Sequence, residues 1–390
     1  MTYKGFNPVA FARSSATTLA HHIREIEEAF LRNYQIGALL EANGRVNYNN
    51  TGEGFDWPVQ YRIHNVEGNT GETQRNFVRR NLWKTAYQEF RGYQATDSMY
   101  YREFLSNRGP EGIVKVYDNF TDRLTTSIKQ ALGSEYYRDG AVTGYETSWH
   151  GLETLFNCST TRGTSASNQT ITASTAGATA RSANAADLCG YPQGQYAGLY
   201  TTLGYYGGEN ESGETWPDGL ADPEYDFWSP LVLNYTTTHA DISSSTNTWA
   251  GQGLEILRYG IINCQRNVSM EGQITNILLA RDLYRSCLDA LDDKEQINVT
   301  SETGLRALGF KNVFMFDGVE VSWEVAVPSG VGYGINYNCM ELKSMDSQLL
   351  RVEGPEYDMD TQSFNAVVST LSNLKFSSPR CFFKAMSLAS

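Results

Sequence analysis

Histidines, carboxylates and thiols are the groups with which this chain could do chemistry, and their spacing limits what they can do. His21, His22 and Glu25 fall close together, and His21 and Glu25 stand four residues apart, on one face of a helix. Such a set could begin a metal site, but a metal centre needs three or four converging ligands. A solvated helix face is the ordinary reading. Glu356, Asp358 and Asp360 could offer oxygens to Ca²⁺, yet the stretch lacks the glycine and closing glutamate of an EF-hand loop. Asp222, Glu224 and Asp226 invite the same comparison and also read as a solvated loop. The cysteines, at 158, 189, 264, 287, 339 and 381, never fall at CxxC spacing, so the usual zinc and redox signatures are missing. In a chain with room for a core they read as free, mostly buried thiols. GxxxxGK[ST], a dinucleotide GxGxxG after a strand, GxSxG and HExxH are all absent. This removes the common enzymes, and the expectation is no enzyme, no catalytic residue, no cofactor and no metal.

The charges point the same way. The chain has 31 basic and 44 acidic residues; 17 and 16 of these lie in residues 1–140, leaving 14 and 28 for residues 141–390. The first third is thus nearly neutral, and the rest carries the acidic excess. A general nucleic-acid binder needs a basic face to neutralise phosphates. The one basic cluster, Arg75, Arg79, Arg80 and Lys84, lies in a neutral segment, where pairing with acidic groups of another subunit competes with phosphate contact. The 24 tyrosines and 35 glycines, with only 19% charged residues, suit broad protein contacts. No run of 18 apolar residues suggests a membrane span, and Met1 to Arg13 lacks the apolar core of a signal peptide.

The elements that would position these residues can be read from periodicity. Residues 14–42 predict a helix, with Leu19, Ile23, Ile26, Phe30 and Leu40 on its apolar face and Gly44 as its stop. Phe55, Trp57, Val59, Tyr61 and Ile63 alternate with polar residues, which predicts a strand with all five on one face. Pro58 confines that strand to an edge or a two-stranded arm. A second extended stretch over 77–95 carries Trp83, Tyr87, Phe90 and Tyr93, so the segment reads as a long β-hairpin that must rest on a body or on a neighbour. A short helix is expected over 98–106. Next comes a long helix over 110–132, ended by Gly133, a rod of about 35 Å at ~1.5 Å per residue. Residues 158–185 and 190–230 lack pattern and read as long contact loops. Beyond them, 227–235 predicts a strand, 250–263 and 274–291 helices, and 314–327, 335–353 and 364–385 extended chain, with Gly354-Pro355 as a break. The fold class is α+β.

The strand FDWPVQYRI, then a helix ending in ALGSEYYRDG (131–140), then GLETLF (151–156), YAGLYTTLGYYGG (196–208), YDFWSPLVLNYT (225–236) and LGFKNVFMFDGVEVSWEVAVPSGVGYGIN (308–336) resemble the major capsid proteins of tailed phages with the Hong Kong 97-type capsid fold. The resemblance covers nearly the whole chain and lies in the order of elements and short phrases. It implies an N-terminal arm and helix over 1–47 and an extended hairpin (E-loop) over 48–96. It further implies a peripheral domain from 97–147 and 330–390 with a spine helix over 110–132, and an axial domain over 148–329 with a loop-rich 158–230. Copies would form hexamers and pentamers of an icosahedral shell around double-stranded DNA, in a virion assembled in the host cytoplasm. A separate scaffolding protein, a portal, a decoration protein and non-specific contact with packaged DNA are the partners implied. The residues expected at contacts between subunits are Trp57, Tyr61, Arg62, Arg75, Arg79, Arg80, Trp83, Lys84 and Tyr87. For Trp57, Tyr61, Trp83 and Tyr87 a place in the subunit's own core is the competing reading. Two other functions stay open: an encapsulin-like compartment around a cargo enzyme, and a glycan-binding adhesin, for which a secretion signal is missing.

Overall fold

The computed structural model describes residues 34–60, 71, 83–102, 123–124, 126–128, 130–141, 145–156, 189–190, 195–200, 228, 230–236, 248–265, 273–292 and 313–387. Among them the chain forms two larger sheets, two small hairpins and helices packed around one continuous core.

The first sheet is built on the longest strand, β15 (Ser363–Phe376). Its even-numbered positions, Phe364, Ala366, Val368, Thr370, Ser372, Leu374 and Phe376, are all buried, the period-2 pattern of a strand with one face on a core. β15 pairs antiparallel with β4 (Arg91–Tyr100), β13 (Met340–Ser344) and β14 (Arg351–Asp358), and the short β1 (Val46–Asn47) joins β13 in parallel. The expected break at Gly354-Pro355 is a β-bulge inside β14, where the register with β15 shifts between Glu353 and Glu356. A bulge is one of the few places in a sheet that tolerate proline. The helix expected over 98–106 starts later: β4 continues to Tyr100, held to β15 by ten consecutive residue pairs, and helical residues begin at Tyr101, with 103–106 outside the described residues.

The second sheet has seven strands in the order β10, β11, β9, β12, β16, β8, β5: Val313–Phe316, Val319–Trp323, Asn276–Leu279, Gly332–Ile335, Phe383–Met386, Leu231–Asn234 and Cys189–Gly190. β9, β12, β16 and β8 are buried at every position. Asn276–Leu279 lies inside the helix expected over 274–291. A continuous apolar run in a strand covered on both faces has no alternation to reveal it, and the helix itself begins only at Arg281. The extended chain expected over 314–327 is instead a tight hairpin. Asp317 and Gly318 both take positive φ, 48° and 82°, the turn that Asp-Gly favours.

Helix α3 (Trp249–Cys264) lies close against this sheet at Gly260, where an added Cβ would come 3.0 Å from the side chains of Leu233 and Phe383. Helix α4 (Arg281–Asp292) is tied to α3 by a hydrogen bond of 2.9 Å from Trp249 Nε1 to the Leu283 carbonyl. The predicted long helix, α2, is described only from residue 123, and it runs past Gly133 to residue 135. Gly133 is not its stop. A Cβ there would lie 1.7 Å from the Tyr34 ring, so the glycine admits Tyr34, just ahead of helix α1 (Gln35–Ala42), onto the helix surface.

The C-terminal part contributes to both large sheets. β12 and β16 sit in the middle of the seven-stranded sheet, whereas β13, β14 and β15 belong to the other sheet.

Candidate assembly surface

The N-terminal hairpin pairs β2 (Gly54–Gln60) with β3 (Trp83–Glu89), in the register Asp56↔Tyr87, Trp57↔Ala86 and Gln60↔Trp83. Its two faces differ. On the inner face Phe55, Trp57, Val59, Ala86 and Gln88 are buried; on the outer face Trp83 and Tyr87 are 54% and 48% exposed. Asp56, Pro58, Gln60, Thr85 and Glu89 complete that exposed face.

The inner face rests on the chain's own body. Phe55 stacks on Trp57 at 5.9 Å and meets Phe90 edge-on at 5.2 Å. Lys343 Nζ lies 5.0 Å above the Phe55 ring and Lys375 Nζ 5.4 Å above that of Trp57. Trp57 also packs on Tyr196 and Trp228. Tyr196 stands in the small hairpin of β6 (Gln195–Tyr196) and β7 (Leu199–Tyr200). Its hydroxyl donates to Gln88 Oε1 at 2.7 Å and accepts from the Phe376 N–H at 2.9 Å, joining the arm to β15. The Tyr87 N–H donates to the Ala197 carbonyl at 3.0 Å. Burial pushes the Tyr196 hydroxyl well above its usual pKa, so it stays a neutral donor. Burial, then the charge of Lys375, lowers the pKa of Lys343. Glu341 offsets part of that crowding by pairing with Lys375 at 3.3 Å.

Trp57 is 6% exposed and covered by its own chain, the placement of the competing core reading. Trp83 and Tyr87 share the outer face. Lys84 points to the other face, half-buried beside Val59 across the strand. Tyr61, Arg62, Arg75, Arg79 and Arg80 lie outside the described residues. Tyr196, Gln88, Lys343 and Lys375 were missed by sequence reasoning. The available signal was the Ala197-Gly198 turn, both residues at positive φ, in a segment read as patternless loop.

The groups weighed for chemistry are placed as follows. Asp358 and Asp360 sit at the turn between β14 and β15, where Asp358 accepts from the Asp360 N–H at 2.9 Å and from the Thr361 hydroxyl at 2.7 Å. The Thr361 bond is the main reason its pKa is lowered. His21, His22, Glu25, Asp222, Glu224 and Asp226 lie outside the described residues, among which no group of three or more potential metal ligands occurs. The buried charges serve the interior. Lys384 Nζ pairs with Glu153 at 2.8 Å, and the Tyr333 hydroxyl donates to the same carboxylate. Glu324 accepts from the Gln35 N–H at 3.2 Å and from the Tyr137 hydroxyl. Among the described residues no helix is long and apolar enough to cross a membrane.

No protein-family model matches the chain, and no curated protein matches it in sequence. Solved structures do. The chain aligns with a chain of the cyanophage A-1(L) capsid over 92% of its own length and 94% of that chain, with a TM-score of 0.53 and 13% identity. Weaker alignments reach the capsid of Myoviridae phage XM1, with 90% and 92% covered, a TM-score of 0.46 and 10% identity. The SrpI encapsulin complex from Synechococcus elongatus PCC 7942 also aligns, with 90% and 88% covered, a TM-score of 0.43 and 9% identity. The chain therefore has the fold of a viral capsid shell subunit. More particularly, it is the Hong Kong 97-type fold of tailed phages.

Proposed function

We propose that this protein is the major capsid protein of a tailed virus. Its copies assemble as hexamers and pentamers into an icosahedral shell around double-stranded DNA. The observation that carries the reading is the two-faced hairpin on a capsid-type fold. One face is cemented to the subunit's own sheets through Phe55, Trp57 and Gln88, and the other leaves Trp83 and Tyr87 exposed on an arm. Large aromatics are the residues that most often carry interface energy. A structural role without catalysis accords with the absence of a catalytic motif in the sequence. A scaffolding protein, a portal, a decoration protein and packaged DNA are the proposed partners, and the virion is the proposed location.

Electron microscopy of the expressed protein, alone and with a co-expressed scaffolding protein, tests this. Closed shells, tubes or capsomers are expected. A strictly monomeric protein under all these conditions overturns the reading. Shells isolated from the native source that hold a cargo enzyme and no genome would replace it with the encapsulin reading.

A further inference from the structure

Among the described residues Cys264, Cys287, Cys339 and Cys381 are buried thiols outside any disulfide, and two of them stand on neighbouring turns. Cys339 closes the 3₁₀ turn Tyr337–Cys339, and Cys381 closes the turn Pro379–Cys381. Each turn is a crossing between the two larger sheets. The first leads from β12 in the seven-stranded sheet to β13 in the other, and the second leads from β15 back to β16. The crossings lie side by side. The Ser377 N–H donates to the Cys339 carbonyl at 2.8 Å, and Phe376 meets Phe382 edge-on at 5.4 Å. The two thiols are 6% and 1% exposed, and each is the first influence on the other's titration.

We propose that Cys339 and Cys381 form a reversible disulfide that staples the two crossings together when the protein meets a low-molecular-weight disulfide oxidant. Cys381 is the attacking sulfur. The neighbouring Cys339 thiol, with the Arg380 charge beside it, lowers its pKa, and the thiolate is the nucleophile in thiol–disulfide exchange. The Cys381 thiolate attacks one sulfur of the oxidant, expels one small thiol and leaves a mixed disulfide. Cys339 then gives up its proton to solvent and attacks Cys381 Sγ, expelling the second small thiol. The protein pair loses two protons and two electrons, and the oxidant is reduced to two thiols. Burial keeps the exchange slow, because the reagent enters only when the crossings open. The loop closed, residues 339–381, contains β13, β14 and β15, so the bond would restrain much of one sheet in the unfolded chain. The staple does not rest on the shell reading.

Prolonged incubation of the full chain with oxidised glutathione tests the staple. Free thiols are then blocked with N-ethylmaleimide in denaturant, and the digest is mapped by mass spectrometry. The expected product joins Cys339 to Cys381, is reversed by dithiothreitol and is absent from Cys381→Ser. The oxidised protein should gain roughly thirtyfold or more in its folding equilibrium over the reduced form, read from denaturant midpoints. Both thiols blocked by the maleimide, glutathione retained on Cys381, or a bond from either residue to Cys264 or Cys287 overturns the proposal. So does a correct bond without any rise in midpoint. The map of the unmutated protein is decisive even where a variant folds poorly.

Discussion

At the scale of single residues, Glu324 is the most consequential ionisable group. Burial raises its pKa from 4.5 to about 7, only partly offset by the hydrogen bonds from Tyr137 and Gln35. The folded state therefore binds a proton that the unfolded chain releases between those values. Stability from this site is fully present below the unfolded pKa and is lost as pH rises through 7, by about 3 kcal/mol at most. A neutral amide keeps one oxygen for the Gln35 N–H and offers its NH₂ to the Tyr137 hydroxyl. Glu324→Gln should thus unfold at a higher temperature than the parent at pH 8 and lose that advantage by pH 5, read by calorimetry at both pH values. His150 works in the opposite direction. Burial and the nearby Arg91 push it down to about 4, so its contribution fades as pH falls below 6.5. The pH comparison must be made between the variant and its parent for that reason. Tyr196 gives a second test. Tyr196→Phe removes the partner of the Phe376 N–H and of Gln88 Oε1 in a buried position, and should cost about 1–3 kcal/mol in urea titration. A loss near zero would mean that the hydroxyl does not tie the arm to the sheet. Neither residue could be singled out from spacing. Glu324 lies in an alternating run and Tyr196 in a glycine-rich one, and their burial is created by chain segments far away in sequence.

At the scale of elements, the proposed assembly role of the arm can be tested apart from folding. Trp83 and Tyr87 project from the outer face of β3, while Ala86 and Gln88 between and beside them are buried. Replacing both Trp83 and Tyr87 with Ala should move the subunit's thermal midpoint little, because exposed positions usually shift stability by no more than about 0.5 kcal/mol. It should weaken assembly much more, with truncation of interface anchors costing more than about 1 kcal/mol each. Sedimentation velocity alongside a melting curve reads the two effects separately. Equal damage to folding and assembly would place these rings in the subunit's own support. The alternation of Phe55, Trp57 and Val59 was legible because one face of a two-stranded arm is wet, which writes period 2 into the sequence. β9 was not legible, because a strand buried on both faces carries no such period. The Asp317-Gly318 turn was written plainly in the sequence, yet passed over within a longer apolar run.

At the scale of the whole molecule, charge and topology decide behaviour. Residues 141–390 hold 14 basic and 28 acidic side chains, so copies brought together in the proposed shell would repel through this part of the chain. Screening that repulsion, with a Debye length near 10 Å at about 0.1 M salt, should speed shell or capsomer formation between low and moderate salt. Light scattering across a salt series checks this, and assembly that is fastest at the lowest salt would show that attraction between unlike charges dominates the contacts. The sequence by itself determined what is local: an α+β chain, an arm with an apolar face, a helix at 250–263, an acidic excess and the order of elements that resembles a capsid subunit. The tertiary structure alone decided that Trp57 supports its own subunit while Trp83 faces outward. It also decided that the C-terminal part divides between two sheets. Period and composition report which face of an element is dry. They do not report what covers that face, because the covering groups, such as Tyr196, Trp228 and Lys375 over Trp57, come from distant parts of the chain that only folding brings together.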